Sequence, residues 1–139
     1  PIFQKARDLG LCVAVHAGFD PLSPEHIHCR PRACRQVLDA CPGLRLILAH
    51  MGGMHLWDDV ERWLVGAPVW LDTARCAGQI DPLQLERIIK AHGADKLLFA
   101  SDCPWSDPRQ EKVMIEALDL SEPEKDAIFS GNIRSLLGL

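Results

Sequence analysis

The sequence predicts an α/β protein built on a parallel sheet, and three observations carry that reading. Four short apolar runs, Leu11–Val15, Leu44–Ala49, Pro68–Leu71 and Lys96–Ala100, are too short for ordinary helices and do not alternate. Such runs suit strands buried on both faces. Segments with apolar residues at helical spacing lie between them, and strand alternating with helix gives a parallel sheet with right-handed crossovers.

In chain order, residues 1–9 read as a helix with Ile2, Phe3, Ala6 and Leu9 on one face, closed by Gly10. After the first strand, Ala33, Cys34, Val37, Leu38 and Cys41 mark a helical face. Leu56, Val60, Trp63 and Leu64 do so after the second, Leu85, Ile88 and Ile89 after the third, and Val113, Met114, Ala117 and Leu118 after the fourth. Asp81-Pro82 and Asp107-Pro108 each read as an N-cap followed by proline at the first helical position. Gly43 and Gly93 stand just past helix ends, where a left-handed residue is wanted. Ser121 and Glu124 have the spacing of a capping box that opens one or two C-terminal helices.

With 139 residues, 47% of them hydrophobic and 24% charged, the chain has the material for one domain with a sizeable core, read over residues 1–139. The same fractions exclude disorder. A net charge of −4 without any basic cluster argues against nucleic acid or an anionic membrane as partner. No apolar run reaches the roughly 18–20 residues of a spanning helix, and no signal peptide opens the chain, so a cytoplasmic location is expected. The six cysteines include no C-x-x-C pair and several sit in apolar patterns, as expected of reduced thiols. The first residue is Pro1 rather than Met, which reads as a partial chain.

What closes each strand carries the functional signal. The four runs end in His16-Ala-Gly18, His50-Met-Gly-Gly53, Asp72-Thr73 and Ser101-Asp102. Parallel α/β sheets bind their substrates at the carboxyl ends of the strands, and here each such end bears a side chain able to ligate a metal or carry a proton. His and Asp are common ligands of Zn²⁺, a catalytic zinc takes about three protein ligands, and its bound water has a pKa near about 7.

The runs Val13–Gly18, Leu46–Gly53, Val69–Thr73, Leu98–Trp105 and Gly131–Leu139 together resemble the amidohydrolase-related metal-dependent hydrolases, a family that includes enzymes like aminocarboxymuconate-semialdehyde decarboxylase. The resemblance runs the length of the chain and implies the C-terminal half of a (β/α)₈ TIM barrel, strands five to eight with their helices. It implies that His16 is a metal ligand and that His50 serves in acid/base or substrate-polarising roles. By the same resemblance Asp102 binds the metal or activates its water, and Asp72 lines the substrate pocket. Members of the family carry a His-x-His pair at the end of strand one. His26-Ile-His28 is read here as a loop after the first strand, so that pair and strands one to four are missing. Four strands cannot close a barrel, and the chain is expected to be stable only against its N-terminal half or a second copy.

The function expected is a divalent-metal-dependent hydrolase, most simply with Zn²⁺, acting on a small-molecule amide, ester or lactone; the chain alone is expected to be inactive. A decarboxylase of the same family, a non-catalytic half-barrel module and a TatD-like nuclease are the rivals, the last opposed by the absence of a basic groove. Trp105 is the aromatic candidate for the pocket, Trp70 is read as wall or core, and Trp57 and Trp63 as packing. His26, His28 and Cys29 are loop residues that could line the entrance. His55 and His92 are read as exposed helix residues. Arg75 and Arg30 are read as surface residues, with anchoring of a substrate carboxylate as the alternative.

Overall fold

The computed structural model describes residues 1–139. Four parallel strands, β1 (Cys12–Val15), β2 (Arg45–Leu48), β3 (Trp70–Asp72) and β4 (Leu97–Leu98), lie side by side in chain order. Helix α1 (Ile2–Asp8) precedes them, while α2 (Pro31–Ala40), α3 (Trp57–Trp63), α4 (Pro82–His92) and α5 (Pro108–Glu116) each follow one strand. Two short helices, α6 (Glu122–Asp126) and α7 (Asn132–Leu137), end the chain and are joined by a π-helical turn over Ala127–Gly131. No helix is long and apolar enough to cross a membrane, and all six cysteines are free thiols.

The register aligns Val15, Leu48, Leu71 and Leu97 in one row across the sheet. The three leucines are wholly buried in a cluster with Val60, Leu64, Leu85, Ile88, Ile89 and Ile115 from the helices. Each leucine so buried contributes roughly 1.5–3 kcal/mol. The neighbouring row, Ala14, Ile47 and Trp70, stands on the opposite face and is exposed or half-buried. Helices therefore cover one face of an open arc, and β1 and β4 each have a single strand neighbour.

Local signals act as their chemistry requires. The Asp81 carboxylate accepts from the amides of Leu83 and Gln84 and opens α4, and Asp107 accepts from Arg109 N and opens α5. Ser121 and Glu124 form the capping box, and Gly43 and Gly93 have φ of +83° and +103°. Strand β4 is shorter than the Lys96–Ala100 run. Beyond Leu98 the Phe99 amide donates to Ile128 O in the π turn, and the Ala100 amide donates to Thr73 Oγ1, so neither continues the ladder.

His92 corrects the expectation of an exposed side chain: it is 5% exposed. Its Nε2–H donates to Val69 O at 3.0 Å and its Nδ1 accepts from Gly66 N at 3.1 Å, tying the end of α4 to the turn before β3. Burial lowers its pKa below the usual histidine value, and nearby Lys96 adds to that. The fold holds the neutral ring. The stability it contributes is complete above the unfolded value of about 6.5 and is lost as the pH falls below it. The urea midpoint should therefore fall between about pH 7.5 and about pH 5.5 by more in the wild type than in His92→Gln. Equal falls would contradict this role.

Candidate active site

The loops that leave the four strands are stitched together one after another. Ala49 N donates to Val15 O, Met54 N to Ala17 O and Phe19 N to Met54 O, each at 2.9–3.0 Å. Gly18 lies in that seam with φ +90°, and a Cβ added there would overlap the backbone of Met54. The glycine after His16 is thus required for close backbone approach, which carries His16 toward His50.

His50 is fixed from three sides. Its backbone amide donates to Asp72 Oδ1 (3.0 Å), its backbone oxygen accepts from Trp57 Nε1 (3.1 Å), and its Nδ1–H donates to Ala74 O (2.8 Å). Its Nε2 then lies 3.0 Å from His16 Nδ1, while His16 Nε2 lies 3.2 Å from Phe19 O. Two carbonyl contacts and one nitrogen–nitrogen contact need three protons, and two neutral imidazoles carry two. With both rings neutral, one contact must be given up, or a cation must take the place of a proton at an outer nitrogen.

Asp72, expected to line the pocket, is not among the residues that frame the cavity described below. Its Oδ1 accepts from both His50 N and Ala74 N, holding the loops after β2 and β3 together. Burial raises its pKa, against the opposing pull of those two amides. Thr73 continues the seam toward β4: its hydroxyl donates to Ala100 O and accepts from Ala100 N.

The cavity framed by these loops has a volume of about 250 Å³, and His16, His50, Asp102 and Trp105 all line it. The sequence-selected residues from β1, β2 and β4 thus meet in one place. Phe19, Leu22 and Met54 add apolar wall, and Trp105, 69% exposed, stands at the mouth. His26 and His28 stack on each other at 6.0 Å and do not line it. His55 is exposed as expected but sits before α3 rather than in it, and it does line the cavity. Trp57 and Trp63 pack against the core, and Trp70 lies half-buried on the open face of the sheet.

Backbone strain concentrates at this rim. Five non-glycine residues have positive φ, namely His50, Met51, His55, Arg75 and Asp102, and four of them line the cavity. Such a conformation costs about 1–3 kcal/mol per residue and persists where surrounding structure enforces it, typically at functional sites. His and Asp tolerate the left-handed region better than most residues, but nothing in sequence spacing marks these positions.

Glu111 was also invisible to sequence reasoning. It is wholly buried on α5. One oxygen accepts from the amides of Cys76 (3.1 Å) and Ala77 (2.9 Å), and the other accepts from Ser106 Oγ. It thereby joins the loops after β3 and β4, which carry Arg75, Asp102 and Trp105. A carboxylate falling on the apolar stripe of α5, four residues before Ile115, was the available signal.

The donor set fits a divalent cation in part. Coordination through His16 Nε2 would release Phe19 O and leave two neutral rings to satisfy the two remaining contacts, which resolves the proton count. Asp102 opens on the same cavity. No three His, Cys, Asp or Glu side chains come together closely enough to hold a metal, so these residues alone do not make up the three protein ligands that a catalytic zinc takes.

The amidohydrolase family model matches residues 1–139. The chain belongs to the amidohydrolase family. No curated protein matches it, but solved structures do. A zinc-bound amidohydrolase from Burkholderia multivorans superimposes with a TM-score of 0.75 at 16% identity, over 99% of this chain and 56% of that one. A dihydroxybenzoic acid decarboxylase from a Polaromonas species, with bound manganese and the inhibitor 2-nitroresorcinol, gives 0.70 at 20% identity over 100% and 53%. The 5-carboxyvanillate decarboxylase of Sphingomonas paucimobilis gives 0.70 at 16% identity over 100% and 52%. This amidohydrolase-family chain spans about half the length of the structures it matches, and its four strands form half of a TIM barrel.

Removing the Asp72 carboxylate leaves two inward-facing amides without an acceptor, at about 1–3 kcal/mol each. Asp72→Ala should therefore lower stability by at least about 2 kcal/mol in urea titrations, whereas Asp72→Asn, which keeps an accepting oxygen, should stay within about 1 kcal/mol. Similar losses in both would show that the two amides do not depend on this oxygen.

Proposed function

We propose that the chain supplies half of a divalent-metal-dependent active site that hydrolyses a small amide, ester or lactone. The reading rests on one observation: His16, His50 and Asp102, from three different strand ends, line a single cavity. His16, through Nε2, and Asp102 would hold the metal, with the remaining ligands supplied by the strands that complete the barrel. When bound, a divalent ion polarises a carbonyl and lowers the pKa of its water. Zinc is the ion proposed, since His nitrogen and carboxylate oxygen are among its usual donors in catalytic sites.

His50 is the proton carrier of the site. Its Nδ1–H is committed to Ala74 O, which fixes the tautomer and leaves Nε2, 3.0 Å from His16 Nδ1, as its basic nitrogen. To take a proton in the cavity and return it to the leaving group, Nε2 would exchange the His16 contact for one to substrate or water. The left-handed backbone at His50 and Asp102 holds both side chains in place before substrate arrives. Phe19, Met54 and Trp105 limit the water around the substrate and sit against its carbon skeleton.

Decarboxylation is the second reading, favoured because two of the structures compared above are decarboxylases by name. The open edges of β1 and β4 and the uncovered row Ala14, Ile47 and Trp70 support completion by an N-terminal half, with a second copy as the alternative.

In the full-length protein that carries this chain, His16→Ala and Asp102→Asn should each reduce bound metal, measured by elemental analysis after dialysis. His50→Ala should retain the metal and lose about 10²–10⁴-fold in turnover on a panel of lactones and esters. Near-normal turnover of His50→Ala would remove its assigned role. Release of CO₂ from aromatic acids, without hydrolysis of any panel member, would replace the first reading with the second.

A further inference from the structure

Two thiols meet where the loop after β1 runs into α2. We infer that Cys29 and Cys34 form a redox-active dithiol, a modification site at which a small-molecule disulfide such as glutathione disulfide converts the pair to an internal disulfide. Neither cysteine lines the cavity.

The start of α2 brings the two side chains together. Arg30, in extended backbone (φ −74°, ψ 145°), is the N-cap, Pro31 is the first helical residue, and Cys34 N donates to Arg30 O at 3.0 Å. Cys29 therefore stands one residue before the cap and Cys34 four after it. Those are the two positions whose side chains pack on each other across a helix start. Cys34 is buried in the core cluster, and half-buried Cys29 packs against the same cluster. Their thiols are hydrogen-bonded to each other. The Cys29 carbonyl in turn accepts from Gly18 N at 3.0 Å, closing the loop that carries Phe19, Asp20 and Leu22 to the cavity.

Environment separates the two roles. The hydrogen bond from the Cys34 thiol favours the Cys29 thiolate and lowers its pKa to about 6, against the opposing effect of burial. Cys29 is also the member of the pair that solvent reaches. An accessible thiolate is the attacking species in disulfide exchange. The Cys34 pKa is pushed up, first by that same hydrogen bond and then by burial and the charge on Cys29. It stays a thiol while Cys29 is free. Once Cys29 is capped, its charge and its accepting sulfur are lost, and the largest cause holding the proton on Cys34 goes with them.

The exchange then balances in two steps. The Cys29 sulfur attacks one sulfur of glutathione disulfide, forms a mixed disulfide and expels a glutathione thiolate. Cys34 gives its proton to solvent and attacks the Cys29 sulfur, which breaks the mixed disulfide and expels the second glutathione thiolate. The protein loses two electrons and two protons, and one glutathione disulfide becomes two glutathione thiols. The sulfurs must close from hydrogen-bond contact to about 2.05 Å, and Cys29, outside the helix, supplies the movement.

The test uses the full-length protein, reduced, then incubated with glutathione disulfide, quenched in acid, denatured, blocked with N-ethylmaleimide and digested with trypsin. Cleavage after Arg32 separates the two cysteines. The disulfide is therefore read in mass spectrometry as a cross-link between the peptide ending at Arg32 and the peptide Ala33–Arg35. Wild-type protein should give that cross-link, and dithiothreitol should release it. Cys34→Ala should instead keep one glutathione on Cys29, because nothing resolves the adduct. Cys29→Ser should lower oxidation of Cys34 about tenfold or more, because the buried thiol has lost the sulfur that it attacks. Two cysteines that served packing alone would both be recovered blocked by maleimide, which would overturn the assignment. A glutathione adduct persisting on wild-type Cys29, or equal oxidation of Cys34 in wild type and Cys29→Ser, would overturn it as well.

Discussion

The cavity exists because hydrogen bonds cross from each strand-end loop to the next. Ala17 and Phe19 meet Met54, His50 meets Asp72 and Ala74, Thr73 meets Ala100, and Glu111 spans the loops after β3 and β4. A parallel sheet brings strand ends to one rim, but ends alone leave loops free to diverge. These seams convert four adjacent ends into one wall. They run through partly or wholly buried groups, so each lost partner strands a donor or acceptor rather than handing it to water.

Strain at the rim is borne by the layer beneath it. Left-handed backbone at His50, Met51, Arg75 and Asp102 opposes folding, while Leu48, Leu71 and Leu97 packed on the helices favour it. This division separates function from stability within a single β-α unit. The helix-facing rows hold the sheet, and the residues just past its edge adopt conformations that a more stable chain would avoid. Apolar burial on one face leaves the opposite face and both sheet edges uncovered in this chain.

The architecture was readable because it is written in local chemistry. Asp81 and Asp107 before proline cap helices wherever they occur, and apolar runs bounded by such caps have few other uses. His16, His50 and Asp102 were readable for a related reason: a parallel strand delivers whatever follows it to the same rim. Contacts between distant segments were not readable. Nothing near His92 in the chain announces Val69 O, and nothing near Glu111 announces the amides of Cys76 and Ala77. Asp72 looked like a pocket residue because its position on β3 is right, but its oxygen is committed to two backbone amides.

The proposed convergence of His16 and Asp102 on one cation is tested most directly by crystallography of the full-length protein soaked with Zn²⁺, using anomalous scattering to place the ion. The expected result is a single strong peak in this cavity, about 2.0–2.2 Å from His16 Nε2 and from an Asp102 oxygen, with the His50 ring still donating to Ala74 O. A peak bound elsewhere, or one here with the His16 ring turned away from it, would contradict the shared site.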